Sequence, residues 1–142
     1  LQLGLSAQQT AARTADVLAM LEIESLAERT PFQLSGGQKK KVALASVLVM
    51  NPEVILFDEP TSALDPRTQH WLIDLIAQLG AAGKTIVVAT HDLHTLADLT
   101  DRAIVFGEDH RILADAATRA VLADRATLLA ANLIHDHAPA LG

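Results

Sequence analysis

The sequence contains no cysteine, which excludes both a disulfide framework and a thiolate metal site and leaves a cytosolic location allowed. Aromatic residues are scarce, with no tyrosine, three phenylalanines and one tryptophan. Any core must therefore be aliphatic, built from the Leu, Ile, Val and Ala that fill helices and buried parallel strands. Basic residues are also in deficit: 11 Lys and Arg face 17 Asp and Glu, for a net charge of −6. That balance opposes the phosphate neutralisation that dominates nucleic-acid affinity, so no nucleic-acid partner is expected. Long hydrophobic runs are missing as well. The longest candidate, Val42 to Met50, is interrupted by Ser46 and falls well short of the ~20 apolar residues of a membrane span. No basic-then-apolar leader opens the chain, and it begins at Leu1 rather than Met; the start of the gene product is expected to lie upstream.

What is present suits one folded α/β domain: 142 residues, half of them apolar and a fifth charged, are enough to bury a core. Behind Ser6, the residues Ala11, Ala15, Leu18 and Leu21 recur at three- and four-residue spacing, which predicts an amphipathic helix over Ser6 to Leu21. Glu24 to Leu34 is expected to connect, since Pro31 disfavours helix in the residue before it. A second helix should run from Gly36 or Gly37 to Met50, stopped by Asn51-Pro52. Val54 to Phe57 is a continuous apolar run, the pattern of a strand covered on both faces, and Thr85 to Ala89 is a second. Between them a helix from Pro66 to about Leu79 is expected, with Asp65 at its cap and Gly80 and Gly83 closing it. A short helix near Leu93 to Leu99, strands over Ala103–Phe106 and Arg111–Ala114 joined at Gly107 to His110, two short helices after Asp115 and Asp124, and a tail from His135 complete the chain. Strand, helix, strand, helix predicts a parallel sheet.

Both apolar runs end in polar residues: Asp58-Glu59 after the first and Thr90-His91 after the second. In open α/β sheets ligands bind at the carboxyl ends of the strands. A carboxylate pair and an imidazole meeting there can hold Mg²⁺, orient a water and touch a phosphate. Alone, an acidic pair after a strand equally fits a solvated loop or a helix cap. Ser35-Gly36-Gly37-Gln38 opens a predicted helix, whose first turn offers N–H groups and a positive dipole end to an anion. Ser35 can cap the helix or donate to a phosphate oxygen, and Gln38 can reach a polar edge of a ligand. An ordinary capped helix is the competing explanation.

Four segments taken together carry a family resemblance: Leu34-Ser35-Gly36-Gly37-Gln38, Val54 to Thr61 with its Asp58-Glu59-Pro60-Thr61 ending, Ser62-Ala63-Leu64-Asp65, and Thr90-His91-Asp92. In this order and spacing they resemble the ATP-binding-cassette ATPases. The resemblance implies a P-loop NTPase-like α/β fold, ATP and Mg²⁺ as cofactors, and an ATP site shared across a dimer. It implies that Ser35, Gly36 and Gly37, with Gln38, form the signature contacting the γ-phosphate of ATP held by the opposite subunit. Asp58 is similar to the Walker B aspartate that holds Mg²⁺ through water, Glu59 to the catalytic carboxylate that polarises the attacking water, His91 to the switch histidine, and Asp65 to the D-loop residue at the dimer interface. Lys41 stands where the family more often has Arg. The phosphate loop, Gly-x₄-Gly-Lys-Ser/Thr between a strand and a helix, is not found within residues 1 to 142. Gly83-Lys84-Thr85 imitates its end, but Gln78 stands where the first glycine should be and the local order is helix then strand; a tight turn is expected there.

The stretches Gln38 to Ala45 and Ala130 to His137 resemble ATPases of energy-coupling-factor and cobalt or nickel uptake systems. The resemblance divides the chain into a helical-subdomain remnant (1–34), the signature helix and C-terminal catalytic core (35–134) and a loose tail (135–142). It implies transmembrane permease subunits and a second ATPase subunit as partners, and a cytoplasmic position on the inner face of the cell membrane. The competing functions are a truncated, non-catalytic partner that completes another subunit's ATP site and a soluble, non-transport cassette ATPase. His135 and His137 around Asp136 make an incomplete metal site, and His70, His94 and His110 are expected on the surface.

Overall fold

The structure, a computed structural model, describes residues 4 to 135. It divides into two compact units, Leu1–Ile55 and Leu56–Gly142. His137 lies outside the described residues.

In the first unit, α1 (Ala7–Met20) starts at a Ser6 cap whose hydroxyl accepts from the Gln9 N–H while the Gln9 side chain accepts from the Ser6 N–H. This reciprocal box satisfies two of the donors that a helix start leaves unpaired. The buried face is carried by Val17 and Leu21, whereas Ala11 and Ala15 of the expected apolar stripe are exposed. A methyl side chain gains little from burial, so the larger aliphatics decide which face turns inward. At its far end α1 closes with two bonds, Glu22 N–H to the Ala19 carbonyl and Ile23 N–H to the Leu18 carbonyl, both 3.0 Å. This is the Schellman arrangement, which needs a left-handed residue after the cap. Glu22 takes that place with φ 56°. Two short 3₁₀ turns, Glu24–Leu26 and Pro31–Gln33, occupy the expected connection. Then α2 (Gly36–Leu48) begins, two residues shorter at its end than its apolar pattern suggested.

The boundary between the units falls within β1 (Val54–Asp58), which pairs with β2 (Thr85–Ala89) in a two-stranded parallel sheet crossed over by α3 (Pro66–Ala81). Leu72, Leu75, Ile76 and Leu79 form the buried stripe of α3 at helical spacing. Gly83, at φ 86°, closes α3 in a second Schellman arrangement, and Thr85 starts β2 directly after it. Gly83-Lys84-Thr85 is therefore the tight turn expected, while Gly80 lies inside the helix. The strands differ from expectation in cover. Ile55 is 3% exposed but Leu56 is 75% exposed, so β1 is covered on one face only. An apolar run shows that a strand can be buried on both sides; the cover itself comes from elements elsewhere.

The remaining strands form a separate antiparallel hairpin, so the sheet content is not all parallel: β3 (Arg102–Phe106) pairs with β4 (Ile112–Ala117). The pairing skips Leu113 opposite Val105 and Phe106, a bulge. The Arg102 guanidinium holds the Asp115 carboxylate through two 2.7 Å bonds. After α4 (Leu93–Leu99) and the hairpin come α5 (Thr118–Ala123) and α6 (Arg125–Ala130), and Ala103, Val105, Val121 and Leu128 form their common core. β4 extends to Ala117, so α5 starts later than the sequence suggested.

Glu22 carries two penalties: a Cβ in the left-handed region, and a negative charge at the negative end of a helix. Replacing Glu22 by Gly should stabilise the protein by roughly 1 kcal/mol, raising Tm by about 2–4 °C. Thermal unfolding followed by circular dichroism checks this; an unchanged or lower Tm would contradict the account of that helix end.

Candidate functional site

Parallel pairing sets the ends of β1 and β2 side by side, and the pairing runs on past the first strand: the Glu59 N–H donates to the Ala89 carbonyl at 2.9 Å. Glu59 itself turns into the left-handed region at φ 45°. A glutamate in that conformation is strained and persists only where its surroundings fix it. Here they do. One carboxylate oxygen, Oε1, accepts from the His91 N–H at 3.0 Å and meets His91 Nδ1 at 2.6 Å, while Oε2 accepts from the Thr90 hydroxyl at 3.1 Å. The Thr90 oxygen in turn accepts from the Asp92 N–H at 3.0 Å, which fixes its direction. Asp92 caps α4 through the His94 N–H. The turn after β2 is thus built to grip the carboxylate that ends β1.

An ionised carboxylate can only accept, so His91 Nδ1 carries the proton in this pair. His91 Nε2 is then an acceptor in the neutral ring and a second donor in the imidazolium. The hydrogen bond from the His91 side chain holds the Glu59 carboxyl below the ordinary glutamate range; desolvation opposes this, and the His91 N–H and Thr90 hydroxyl add to the lowering. Asp58, one residue earlier on β1, is exposed, and its oxygens suit a hard divalent cation held through water. Among the described residues no cluster of three or more metal-ligating side chains forms. Of the described residues, Asp58 is the one placed to hold a cation there, the remaining ligands coming from outside them.

Asp65 stands apart from this group, at the start of α3. Its carboxylate accepts from the Arg67 and Thr68 N–H groups, both 3.1 Å, and from the Thr68 hydroxyl at 2.6 Å. Those bonds, the Thr68 hydroxyl first, hold it below the usual aspartate range. Its visible work is to cap a helix.

Ser35, Gly36, Gly37 and Gln38 belong to the other unit, at the start of α2. The Ser35 hydroxyl accepts from the Gln38 N–H at 3.3 Å, and Gln38 Oε1 accepts from the Ser35 N–H at 2.9 Å. The capping explanation is therefore correct, and it leaves the ligand explanation intact. Both caps use acceptor oxygens, so the Ser35 hydroxyl proton and the Gln38 amide hydrogens remain to be donated. A Cβ built on Gly36 or Gly37 would meet nothing within 4 Å. Their lack of side chains answers no crowding among the described residues and leaves the first-turn N–H groups open to an approaching anion.

The sequence motif gives Thr90 no role of its own, whereas in the structure its hydroxyl is one of three groups on the Glu59 carboxylate. The available signal was its place between an apolar run and His91. His70 lies 3.7 Å from Asp74 on the exposed side of α3, in keeping with a surface role, and His94 and His110 are exposed.

Because the folded state depresses the Glu59 pKa, the grip stabilises the fold above the ordinary glutamate range and is lost as pH falls through the lowered value. Replacing His91 by Ala removes the chief cause. The Glu59 carboxyl should then titrate at a higher pH, followed by ¹³C NMR of the side-chain carboxyl; an unmoved titration would show that His91 is not what lowers it.

Comparison with known proteins gives this geometry its setting. Residues 4–97 match the family model described as "AAA domain, putative AbiEii toxin, Type IV TA system". The chain is 51% identical over 137 residues to a "Putative ABC transporter ATP-binding protein" of Methanosarcina acetivorans, covering 96% of this chain and 50% of that protein. It is 47% identical over 133 residues to the "Cobalt import ATP-binding protein CbiO" of Rhodobacter capsulatus, covering 94% and 47%. In structure it is similar to cbiO1 of Clostridium perfringens, described as part of the ABC transporter complex cbiONQ, with a TM-score of 0.76, 33% identity, and coverage of 91% of this chain and 51% of that one. The chain spans about half the length of these relatives. A family match over residues 4–97, and relatives and a solved neighbour that are all cassette ATPases, place it: the chain belongs to the AAA-type ATPase domains and, among them, to the ABC transporter ATP-binding proteins.

Proposed function

We propose that the protein is the ATP-hydrolysing subunit of a membrane importer of the cobalt, nickel or energy-coupling-factor type, with ATP and Mg²⁺ as cofactors. The observation that carries this is the Glu59 carboxylate, ionised, held by three donors from the turn after β2 and set beside Asp58 at the carboxyl ends of paired parallel strands. A carboxylate fixed in this way can accept a proton from, or orient, a water attacking a phosphoryl group. Mg²⁺, when bound, would neutralise charge on the phosphates, and Asp58 is the residue of this chain that would hold it through water. His91 steadies Glu59 through Nδ1 and presents Nε2 to the γ-phosphate. Ser35, Gly36, Gly37 and Gln38 offer donors alone, which suits the γ-phosphate of ATP bound by a second subunit. Asp65, besides capping α3, belongs to the segment that meets that subunit.

The relatives' roles in import support a partnership with transmembrane permease subunits and a position on the cytoplasmic face of the membrane. Among the described residues no helix is long and apolar enough to cross a membrane. Residues 1–34 are the part assigned to the helical subdomain, 35–134 to the signature helix and catalytic core, and 135–142 to a tail. Within residues 1–142 there is no phosphate loop, so this stretch on its own is expected to be nearly inactive.

Two substitutions in the full-length protein test the assignment. Glu59→Gln keeps the shape and loses the base. It should retain ATP binding, measured with a fluorescent nucleotide, and lower phosphate release by about 100-fold or more. Normal turnover would remove Glu59 from the role of essential carboxylate. Gly37→Ala adds a methyl group where the fold has open space, so Tm should hold while KM for ATP rises about tenfold or more. An unchanged KM would mean that no phosphate approaches that turn.

A further inference from the structure

A helix ends with carbonyls that its own ladder cannot satisfy. At the end of α1 the Schellman bonds take up the carbonyls of Leu18 and Ala19. The carbonyl of Leu21, the cap residue itself, accepts from the Lys41 ammonium at 2.9 Å. The last turn of α1 contains no basic residue, so the cation that complements its negative end is supplied by α2, twenty positions along the chain. Lys41 is half-buried, whereas its neighbours Lys39 and Lys40 are exposed. The acceptor cannot drift either: Leu21 is 0% and Ile23 2% exposed, which fixes the backbone between them.

This contact matters because of what α2 lacks near its start. Gly36 and Gly37 have no side chains to anchor the first turn, and the buried residue of α2 is Leu48, at its far end. The bond from Lys41 to the Leu21 carbonyl ties α2 to the end of α1 close to the signature. A point acceptor such as a single carbonyl suits an ammonium, a compact charge with three donors, as well as it suits a guanidinium fork. That accounts for a lysine standing where arginine is more usual in the family.

We propose that Lys41 is a positioning residue for the signature: by holding α2 on the C-terminal end of α1, it fixes the direction in which Ser35, Gly36 and Gly37 present their donors. It touches no substrate itself. The proposal rests on the assignment of Ser35 to Gly37 as a phosphate-binding turn, and the test separates the two.

The experiment uses the full-length protein with four variants: Lys41→Met, which keeps the stem and removes the ammonium, Lys41→Arg, Lys39→Met and Gly37→Ala. Two quantities are read, KM and kcat for ATP, and amide hydrogen exchange at Gly36, Gly37 and Gln38. Lys41→Met should raise KM about tenfold with a smaller change in kcat, the pattern of lost binding common to ground and transition states, and should speed exchange at the three amides. Lys41→Arg should restore both to within about twofold, and Lys39→Met should leave both within about twofold. Wild-type KM and exchange in Lys41→Met, or an equal effect from Lys39→Met, would overturn the proposal. If Gly37→Ala raises KM while Lys41→Met does not, the phosphate-binding turn stands and Lys41 loses its role. If Gly37→Ala leaves KM unchanged, that turn is misassigned, and the exchange measurement alone decides whether Lys41 holds it. Should Lys41→Met fail to fold, Lys41→Gln, with a shorter neutral donor, serves for the same comparison.

Discussion

The chemistry of the second unit depends on the register between β1 and β2. Successive residues of a strand face opposite sides, so a slip of one residue would exchange the places of Asp58 and Glu59. The bond from the Glu59 N–H to the Ala89 carbonyl prevents that slip at the position where it matters most, one residue beyond the end of β1. With that bond made, Glu59 is forced into the left-handed region, and its carboxylate meets the Thr90 hydroxyl and the N–H and ring of His91. The strain and the grip belong together. Without three donors to hold it, a glutamate at φ 45° would relax, and without the turn it could not reach them.

Much of this was legible in the sequence where one residue type has one physical use. Ser6, Ser35 and Asp65 each precede a helix and each caps one with its side chain, because a short oxygen-bearing side chain is what an unpaired first-turn N–H requires. Gly83 closes α3 where a glycine suits a left-handed residue. The strands ending at the carboxylate and at the imidazole were found from apolar runs bounded by polar residues, and the parallel pairing followed from the helix between them.

What escaped the sequence was context. Glu22 closes α1 in a conformation that gives no compositional sign, because the Schellman bonds and the buried side chains of Leu21 and Ile23 override its own preference. Ala11 and Ala15 fitted the helical period but contribute too little area to choose the buried face. The apolar runs of β1 and β2 suggested cover on both sides, yet Leu56 is exposed, since cover is supplied by other elements and not by the strand. The bulge at Leu113 ends the simple alternation in β4 without a glycine to mark it. Thr90 is an ordinary strand-end residue until the partner strand brings Glu59 to it.

The two groups of candidate residues also differ in kind. At the start of α2 the acceptor oxygens of Ser35 and Gln38 are consumed by the capping box. What remains to be offered is a hydroxyl proton, amide hydrogens and the N–H groups of a helix start beside open glycines, all donors. A site of donors at the positive end of a dipole selects an anion and gives a cation nothing to bind. At the end of β1 the balance is reversed. Asp58 and Glu59 are acceptors, one exposed and one held, suited to a hydrated cation and to the proton of a water. Phosphoryl transfer requires both kinds of group, donors for the phosphate oxygens and acceptors for the metal and the nucleophile. The sequence separates them by about twenty residues. The capping box and the Glu59 grip help each keep its sign: the Ser35 and Gln38 acceptors, and the Thr90 hydroxyl, His91 N–H and His91 Nδ1 donors, are taken up in holding the backbone in place.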